Sequence, residues 1–396
     1  MFTAGILSNL AIYDNFANKL SKEINVLKYD LDNSIDNIVS FLESNHINFL
    51  IVSGLWLPTE YPFIEKFKKI NIPHFFPSRD HIAELEYNKF RAKELLKKLG
   101  IPTANGYKSN GAEVFEKYYK IPRPFVLKFF KYLAGRQTII VTDQNFQEVY
   151  NELFSHKLFS NRLPTNVNDD WACVIEEYVN IKSEESYHVL MNEKNWTFFG
   201  SARDYKKVKD GDQGFNYFSA GAYSVNVVNH KINEYADKIF NHFQKIGNPY
   251  KGFLFFGIAY TESGDPIVLE LNTRSGDPEL IPMLSSITNN LTDIFYPAST
   301  NLRIPEIKHD NSKTVTIRLL NTDSNWNNEA TSLPDIKNIP SDIIYNIEGG
   351  KKFTNKHSLF SCTKESVDEA SQTIYRYLST QNLGQFYYRK DIGVLK

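Results

Sequence analysis

Cysteine is almost absent from these 396 residues. Cys173 and Cys362 stand far apart with no metal-ligand spacing, so neither a disulfide framework nor a cysteine-built metal centre is available, and a reducing compartment fits best. Net charge is missing as well: 45 basic and 46 acidic side chains sum to -1. No global field therefore gathers nucleic acid or an anionic membrane, and any anion site must be local. No run of about 18 apolar residues occurs, and the opening MFTAGILSNLAIYDNF has no basic n-region and meets Asp14 early, so neither a membrane span nor an export signal is expected. Repeats and low-complexity tails are lacking too. What remains is the expectation of a cytoplasmic globular protein, with 42% hydrophobic residues for packing and a length that suggests roughly two to four domains.

Over residues 1–77, apolar runs alternate with amphipathic stretches: FTAGIL, the helix-like NFANKLSKEI, NVLKYD, IDNIVSFLES and NFLIVSG. That pitch predicts a small parallel α/β unit. A single helix is expected from the N-cap Ser78 through HIAELEYNKFRAKELLKKLG, with Ile82, Leu85, Phe90, Leu95, Leu96 and Leu99 at helical spacing and Gly100 and Pro102 as the stop. PFVLKFF and QTIIVTD read as strands joined by the loop KYLAGR, followed by a helix-like NFQEVYNELF. After the polar link NRLPTNVNDDW come two more strands, CVIEEYV and ESYHVLM. Residues 305–396 read as a separate β-rich unit containing TVTIRLL, DIIYNI, SLFSCT, a helix ESVDEASQTIYRYL and a closing FYYRKDIG. The fold class is thus multidomain α/β and α+β.

The chemistry concentrates in VLELNTRSGDPEL, Val268 to Leu280. An E-x-N pair recurs in any Asn-rich chain and usually marks a turn. Here, however, GFLFFGIAYTESGDPIVLELNTRSGDPE reads as strand, Gly-containing hairpin turn, strand and polar loop, so Glu270 and Asn272 share one face of a strand end. Both offer the hard oxygens that Mg²⁺ takes when it also holds nucleotide phosphates. Arg274 follows, a delocalised cation suited to a carboxyl or phosphate as charge develops. Asp277 and Glu279 could orient an amine or ammonium, or only hold Arg274 in place. Lys128 is unusual for another reason: it lies within the apolar FVLKFF, where a charge must find a partner or cost several kcal/mol.

Taken in order, these segments resemble the ATP-grasp superfamily and, within it, the glycinamide ribonucleotide synthetases. ELNTRSGDPE resembles that family's E-F-N-x-R-F-G-D-P-E; SARDYKKVKDGDQGFNYFSAGAYS resembles its loop D-H-K-R-x-x-D-G-D-x-G-P-N-T-G-G-M-G-A-Y-S; and FYYRKDIG is similar to its S-R-K-D-I-G close. The resemblance implies a Rossmann-like domain at 1–77, an ATP-grasp region at 78–304 with its small lobe at about 117–179, and a C-terminal β-rich domain at 305–396. It also implies ATP with Mg²⁺ or Mn²⁺ as cofactors, with Glu270 and Asn272 at the metal and Lys89 and Lys128 at phosphate oxygens. Arg136, in LAGRQT, would replace the lysine of a mobile A-G-K-G-V loop. Glu176 would meet the adenine amine, the Tyr178 to Val179 backbone the ring edge, and Glu184 the ribose hydroxyls.

Departures gather on the substrate side. The family's G-N-G-G-R-E-H-A loop is AGILSNLAIYD here, its G-P-E-x-P-L is SGLWLPTEYP, and T-G-G-M-G has become Tyr217, Phe218, Ser219, Ala220, Gly221. Those positions are expected to contact phosphoribosylamine. The acid that many ATP-grasp enzymes carry about a dozen residues before E-x-N is missing, and Gly257 and Ile258 stand there. The reading is an ADP-forming carboxylate–amine ligase that joins glycine or another amino acid to a small-molecule amine other than phosphoribosylamine, with Arg274 and Asp277 as catalytic residues. Its alternatives are the family's own reaction, a non-catalytic ATP-binding protein and, more weakly, a carboxylase. Nucleic-acid and membrane partners are not expected; monomer and homodimer stay open.

Overall fold

The computed structural model describes residues 2–8, 10, 12–31, 34–53, 71–109, 118–129, 138–154, 173–216, 219–321, 333–348 and 357–394. The first unit follows the alternation in the sequence: β1 (Thr3–Leu7), α1 (Ile12–Leu20), β2 (Asn25–Tyr29), α2 (Ile35–Ser44), β3 (Phe49–Val52) and β4 (His74–Phe75). Its strands form a parallel sheet ordered β2-β1-β3-β4. Ala4, Ile6, Phe49 and Ile51 cluster with Tyr13, Phe16 and Leu20 of α1, while Leu7, Leu50 and Val52 cluster with Ile38 and Leu42 of α2. Coverage on both faces is why β1 and β3 read as continuous apolar runs.

After Ser78 the chain departs from the single helix expected. The Ser78 hydroxyl does accept from the His81 N–H at 3.2 Å, but α3 (Arg79–Ile82) passes into a π-turn at Ala83–Tyr87. Asn88 then starts a fresh helix, α4 (Lys89–Lys98), by accepting from the Arg91 N–H at 3.0 Å. Asparagine favours such N-caps because its side chain takes over a freed backbone donor. The break directs Glu86 and Lys89 towards residues 270–274.

A small antiparallel sheet comes next, β5 (Gly106–Ser109), β6 (Phe125–Phe129), β7 (Thr138–Val141) and β8 (Cys173–Glu177), ordered β5-β8-β6-β7. Phe146, Val149 and Tyr150 of α5 (Phe146–Phe154) pack on it. Both cysteines are buried and free, as small apolar residues.

The remainder is organised by one large antiparallel sheet. In chain order its region contains β9 (Ser183–Met191), β10 (Trp196–Asp204), the hairpin β11 (Lys207–Lys209) and β12 (Gln213–Asn216), β13 (Gly221–Ser224), α6 (His230–Lys245), β14 (Gly252–Tyr260) and β15 (Pro266–Asn272). There follow α7 (Leu280–Ser285), α8 (Leu291–Thr300), β16 (Lys313–Arg318), β17 (Leu320–Asn321), β18 (Ile343–Glu348), β19 (His357–Lys364), α9 (Val367–Leu378) and β20 (Phe386–Tyr387). Eight strands run β15-β14-β9-β10-β13-β16-β19-β18, so strands after residue 305 extend the sheet that holds the E-x-N hairpin. Ile232, Tyr235, Ile239 and Phe243 of α6 join Tyr187, Val189, Leu254 and Phe256, while α7 and α8 join α1 in a second cluster with Leu190, Phe199 and Phe253. The alternation along β9 and β14 thus has a helical layer on each side. No helix among the described residues is long and apolar enough to cross a membrane.

Candidate active site

β15 is the edge strand of the large sheet, and its free side is covered by the segment after α4 and by β6. Val268 donates its N–H to the Pro102 carbonyl at 2.9 Å, Thr103 its hydroxyl to the Val268 carbonyl at 2.7 Å, and Lys128 its ammonium to the Leu269 carbonyl at 2.9 Å. Leu269 is an extra residue: Glu270 faces Gly257 and Val268 faces the very next residue, Ile258. Such a bulge frees a carbonyl from the ladder, and here Lys128 takes it.

Beyond the bulge the Asn272 amide donates to Glu270 Oε1 at 3.3 Å. Lys89 Nζ lies 3.4 Å from Glu270 Oε2, with only 10% of its side chain exposed, so it is not a solvated helix lysine. Lys206, just past β10, lies 3.8 Å from Glu270 Oε1 and 3.9 Å from Glu184 Oε2. Burial pushes the Glu270 carboxyl up, but Lys89, Lys206 and Lys128 more than reverse this and hold it well below the usual carboxylate range. Burial likewise disfavours the Lys206 charge, and Glu270, Glu184, Asp204 and Glu279 overturn that, keeping it above the ordinary lysine range. Lys89, Glu270 and Glu184, distant in the sequence, are thus brought together around Lys206. Gly257 opposite is required by space: a Cβ there would stand 2.9 Å from Glu270 Cγ.

Behind this row Glu176 is buried between two ammonium groups, with Oε1 3.0 Å from Lys93 and Oε2 3.0 Å from Lys128. The charge in β6 thus has its partner. Lys93 also donates to Thr103 Oγ1 and the Ala104 carbonyl, at 3.0 Å each; burial and then Lys128 push its pKa down to about 8. Tyr178 is exposed and Val179 half-buried just past β8, at the rim. Arg136 lies outside the described residues, as do Tyr217 and Phe218.

The loop after β15 is fixed by groups that the sequence did not single out. Glu86 of the π-turn accepts from the Thr273 N–H and hydroxyl at 2.9 and 2.8 Å and from Arg274 Nε at 2.9 Å. Asp277 accepts from Arg318 at 2.6 Å, and the same guanidinium donates to the Ser219 carbonyl at 2.7 Å. Asp277 therefore anchors the loop to β16, and the sequence had not paired it there. His188 Nε2 accepts the Gly276 N–H at 2.9 Å, so the imidazole is neutral, and burial pushes its pKa down to about 3. Glu279, where a second substrate acid was expected, is buried and accepts from the Ser186 hydroxyl at 3.0 Å. Asp204 accepts from the Ser219 hydroxyl nearby. Burial raises both carboxyls, and the closeness of Glu279 raises Asp204 further. Of the groups missed, only Arg318 carried a signal like that of Lys128: a charge inside an apolar strand, TVTIRLL. Lys206 falls on the lysine of the resembled D-H-K-R run but was given no role, whereas Lys93 and Glu86 stand in Lys- and Glu-rich stretches where nothing marks them out.

The donor set suits Mg²⁺: an ionised carboxylate beside a carboxamide. Among the described residues no group of three or more His, Cys, Asp and Glu forms a protein cage, so an ion held by Glu270 and Asn272 would complete its shell with phosphate and water oxygens.

Residues 87–280 match the family described as phosphoribosylglycinamide synthetase, ATP-grasp (A) domain. The phosphoribosylamine-glycine ligase of Leptospira interrogans is 28% identical over 388 residues, covering 90% of this chain and 86% of that one. That of Streptococcus pneumoniae serotype 4 is 29% identical over 357 residues, covering 83% and 80%. Among solved structures, the phosphoribosylamine-glycine ligase of Thermotoga maritima superposes with a TM-score of 0.74 at 20% identity over 98% of this chain and 100% of that one. Biotin carboxylase of Campylobacter jejuni gives 0.69 at 15% identity, over 98% and 94%.

Edge-strand carboxylate, clamping lysines and two flanking sheets accord with that match: residues 87–280 form an ATP-grasp domain, and the chain as a whole resembles the ligases of the ATP-grasp superfamily. Within that superfamily it resembles the phosphoribosylamine-glycine ligases along most of its length.

Proposed function

We propose that this protein is an ATP-dependent carboxylate–amine ligase that activates glycine or another amino acid and delivers it to an amine other than phosphoribosylamine. The observation that carries the ligase reading is the convergence of Lys89, Lys128 and Lys206 on Glu270 beside Asn272. So many cations around one ionised carboxylate suit a polyphosphate with its divalent ion.

In this reading Tyr178 and Val179 meet the adenine edge with their backbone, Glu176 offers a remaining lone pair to the exocyclic amine, and Glu184 binds the ribose. Lys89 and Lys128 neutralise phosphate oxygens, with Arg136 as a further clamp. Bound Mg²⁺ would supply further neutralisation of the β- and γ-phosphates. A carboxylate oxygen of the amino acid attacks the γ-phosphorus, ADP leaves, and an acyl phosphate forms. The amine nitrogen then attacks the acyl carbon, the C–O bond to phosphate breaks, and the nitrogen loses a proton as the amide forms. Alignment and charge neutralisation do most of this work. Arg274, steadied by Glu86, faces the developing negative charge, and Asp277 holds the substrate loop through Arg318.

The choice of amine rests on the first unit. Where the resembled family has a glycine-rich loop with an arginine, Ile12 and Tyr13 are buried here, and the Tyr13 phenol, with its pKa raised by burial to about 12, shares a hydrogen bond of 3.0 Å with Ser275. Lys19 donates to the Leu284 and Ile287 carbonyls at 2.8 and 2.7 Å, and Lys28 pairs with Asp14. Lys19 is thus engaged by two backbone carbonyls, and no arginine stands in AGILSNLAIYD to replace that of the family's loop. The names of the relatives support the alternative, phosphoribosylamine with glycine, so that pair belongs first in an ADP-release screen of paired amines and amino acids. ADP is expected only when the right pair is present, and none from Glu270→Gln. Efficient turnover of phosphoribosylamine with glycine would overturn the changed-amine reading; Mg-ATP binding with no ADP from any pair would leave a binding protein.

A further inference from the structure

The closing FYYRKDIG takes part in no step of the proposed chemistry, yet it lies against the loop that carries Lys206. Arg389 is fully buried. Its Nε and NH2 reach Asp391 at 2.8 and 2.7 Å, NH1 reaches the Lys207 carbonyl and Asp212 at 2.9 Å each, and the guanidinium sits 4.8 Å above the Tyr205 ring. Tyr387 donates its hydroxyl to the Val208 carbonyl at 2.7 Å, and the Lys390 N–H donates to Asp210 at 2.8 Å. The Gly393 N–H likewise donates to the Tyr205 hydroxyl at 3.2 Å, and in the other direction the Gly211 N–H donates to Asp391 at 2.9 Å. These bonds engage Tyr205, Lys207, Val208, Asp210, Gly211 and Asp212. Between them only Lys206 and Lys209 are passed over, and Lys206 points at Glu270 and Glu184. Asp212 adopts a positive φ of 55°, a conformation that persists where surrounding contacts over-determine it.

We propose that residues 387–393 are a positioning strap that fixes Lys206 among the active-site carboxylates, so that turnover depends on a C-terminal segment that touches no substrate. The flexible lysine stem cannot hold its ammonium in place by itself; the backbone on either side of it must be immobile. Tyr387, Arg389 and Asp391 are positioning residues. A displacement of about 1 Å at reacting groups can cost about 100-fold in rate, which sets the scale of control available.

This inference rests on the ligase reading for its kinetic arm, so one arm is chosen that needs no substrate. Arg389 is buried, and its removal risks misfolding. The test variant is therefore Tyr387→Phe combined with Asp210→Ala, at a half-buried and an exposed position, with Arg389→Lys as the conservative comparison. Amine-reactive labelling read by mass spectrometry should be at least about fivefold faster at Lys206 in the double variant, with Lys93 unchanged as internal reference. With the pair that supports turnover, kcat should fall about tenfold while the KM for ATP stays within about twofold, and Arg389→Lys should fall between wild type and the double variant. Lys206 labelling at the wild-type rate overturns the strap, as does faster labelling with unchanged kcat. If the wild-type protein ligates no pair, the ligase reading fails and labelling alone decides the strap.

Discussion

Glu86 holds Arg274 through a charge-assisted hydrogen bond of 2.9 Å, so Glu86→Gln should keep the fold and lower kcat about 10- to 100-fold, the range expected for losing one such bond. Steady-state kinetics with the active pair would check this, with nucleotide affinity expected to change little. Nearby, His188 makes a pH prediction. Its neutral form is preferred in the fold, with the pKa pushed from the ordinary 6.5 down to about 3, so the unfolded chain binds the extra proton more readily in that window. Stability should therefore fall as pH drops from about 6.5 towards 3, with a contribution of up to about 1.4 kcal/mol per pH unit. Urea titrations across that range should show a shallower dependence in His188→Gln. Single residues were legible in the sequence where a charge violated its surroundings, as Lys128 does in an apolar strand. Glu86 violates nothing locally; its importance comes from a π-turn and a partner 188 residues away.

Among elements, the hairpin of β14 and β15 was readable because its alternation and its Gly-containing turn are local. Its bulge at Leu269 was not, since a bulge is a mismatch between two strands. The same register explains Gly257, where the sequence shows only a missing acid. A Cβ at that position would press on Glu270 at 2.9 Å, so Gly257→Ala should shift this carboxylate and weaken Mg-ATP binding about tenfold or more, measurable by calorimetry. Binding at wild-type affinity would mean that Glu270 does not set the site. The helix expected from Ser78 onwards breaks at Asn88 because a side-chain cap competes with continuation, and periodicity alone does not reveal that competition. β10, α6, α7 and α8 found no place in the sequence reading, although β10 carries into the Lys206 loop.

For the whole molecule, the proposed nucleotide site where the small sheet meets β15 would couple ligand binding to stability. Mg-ATP at about 100 times its dissociation constant should stabilise the protein by about 2.7 kcal/mol, and Glu270→Gln at the same concentration should lose most of that gain. Thermal melts with and without EDTA would read both effects. The ATP-grasp architecture was legible only as what the motifs' resemblance to a family implies, and the pairing of Asp277 with Arg318 was not legible at all. The central claim is that this site drives amide formation through an acyl phosphate. The most direct test supplies the active amine with an amino acid carrying ¹⁸O at both carboxylate oxygens and follows the released phosphate by mass spectrometry. One ¹⁸O should appear in each phosphate formed; phosphate free of the label, despite ADP release and amide formation, would contradict the account.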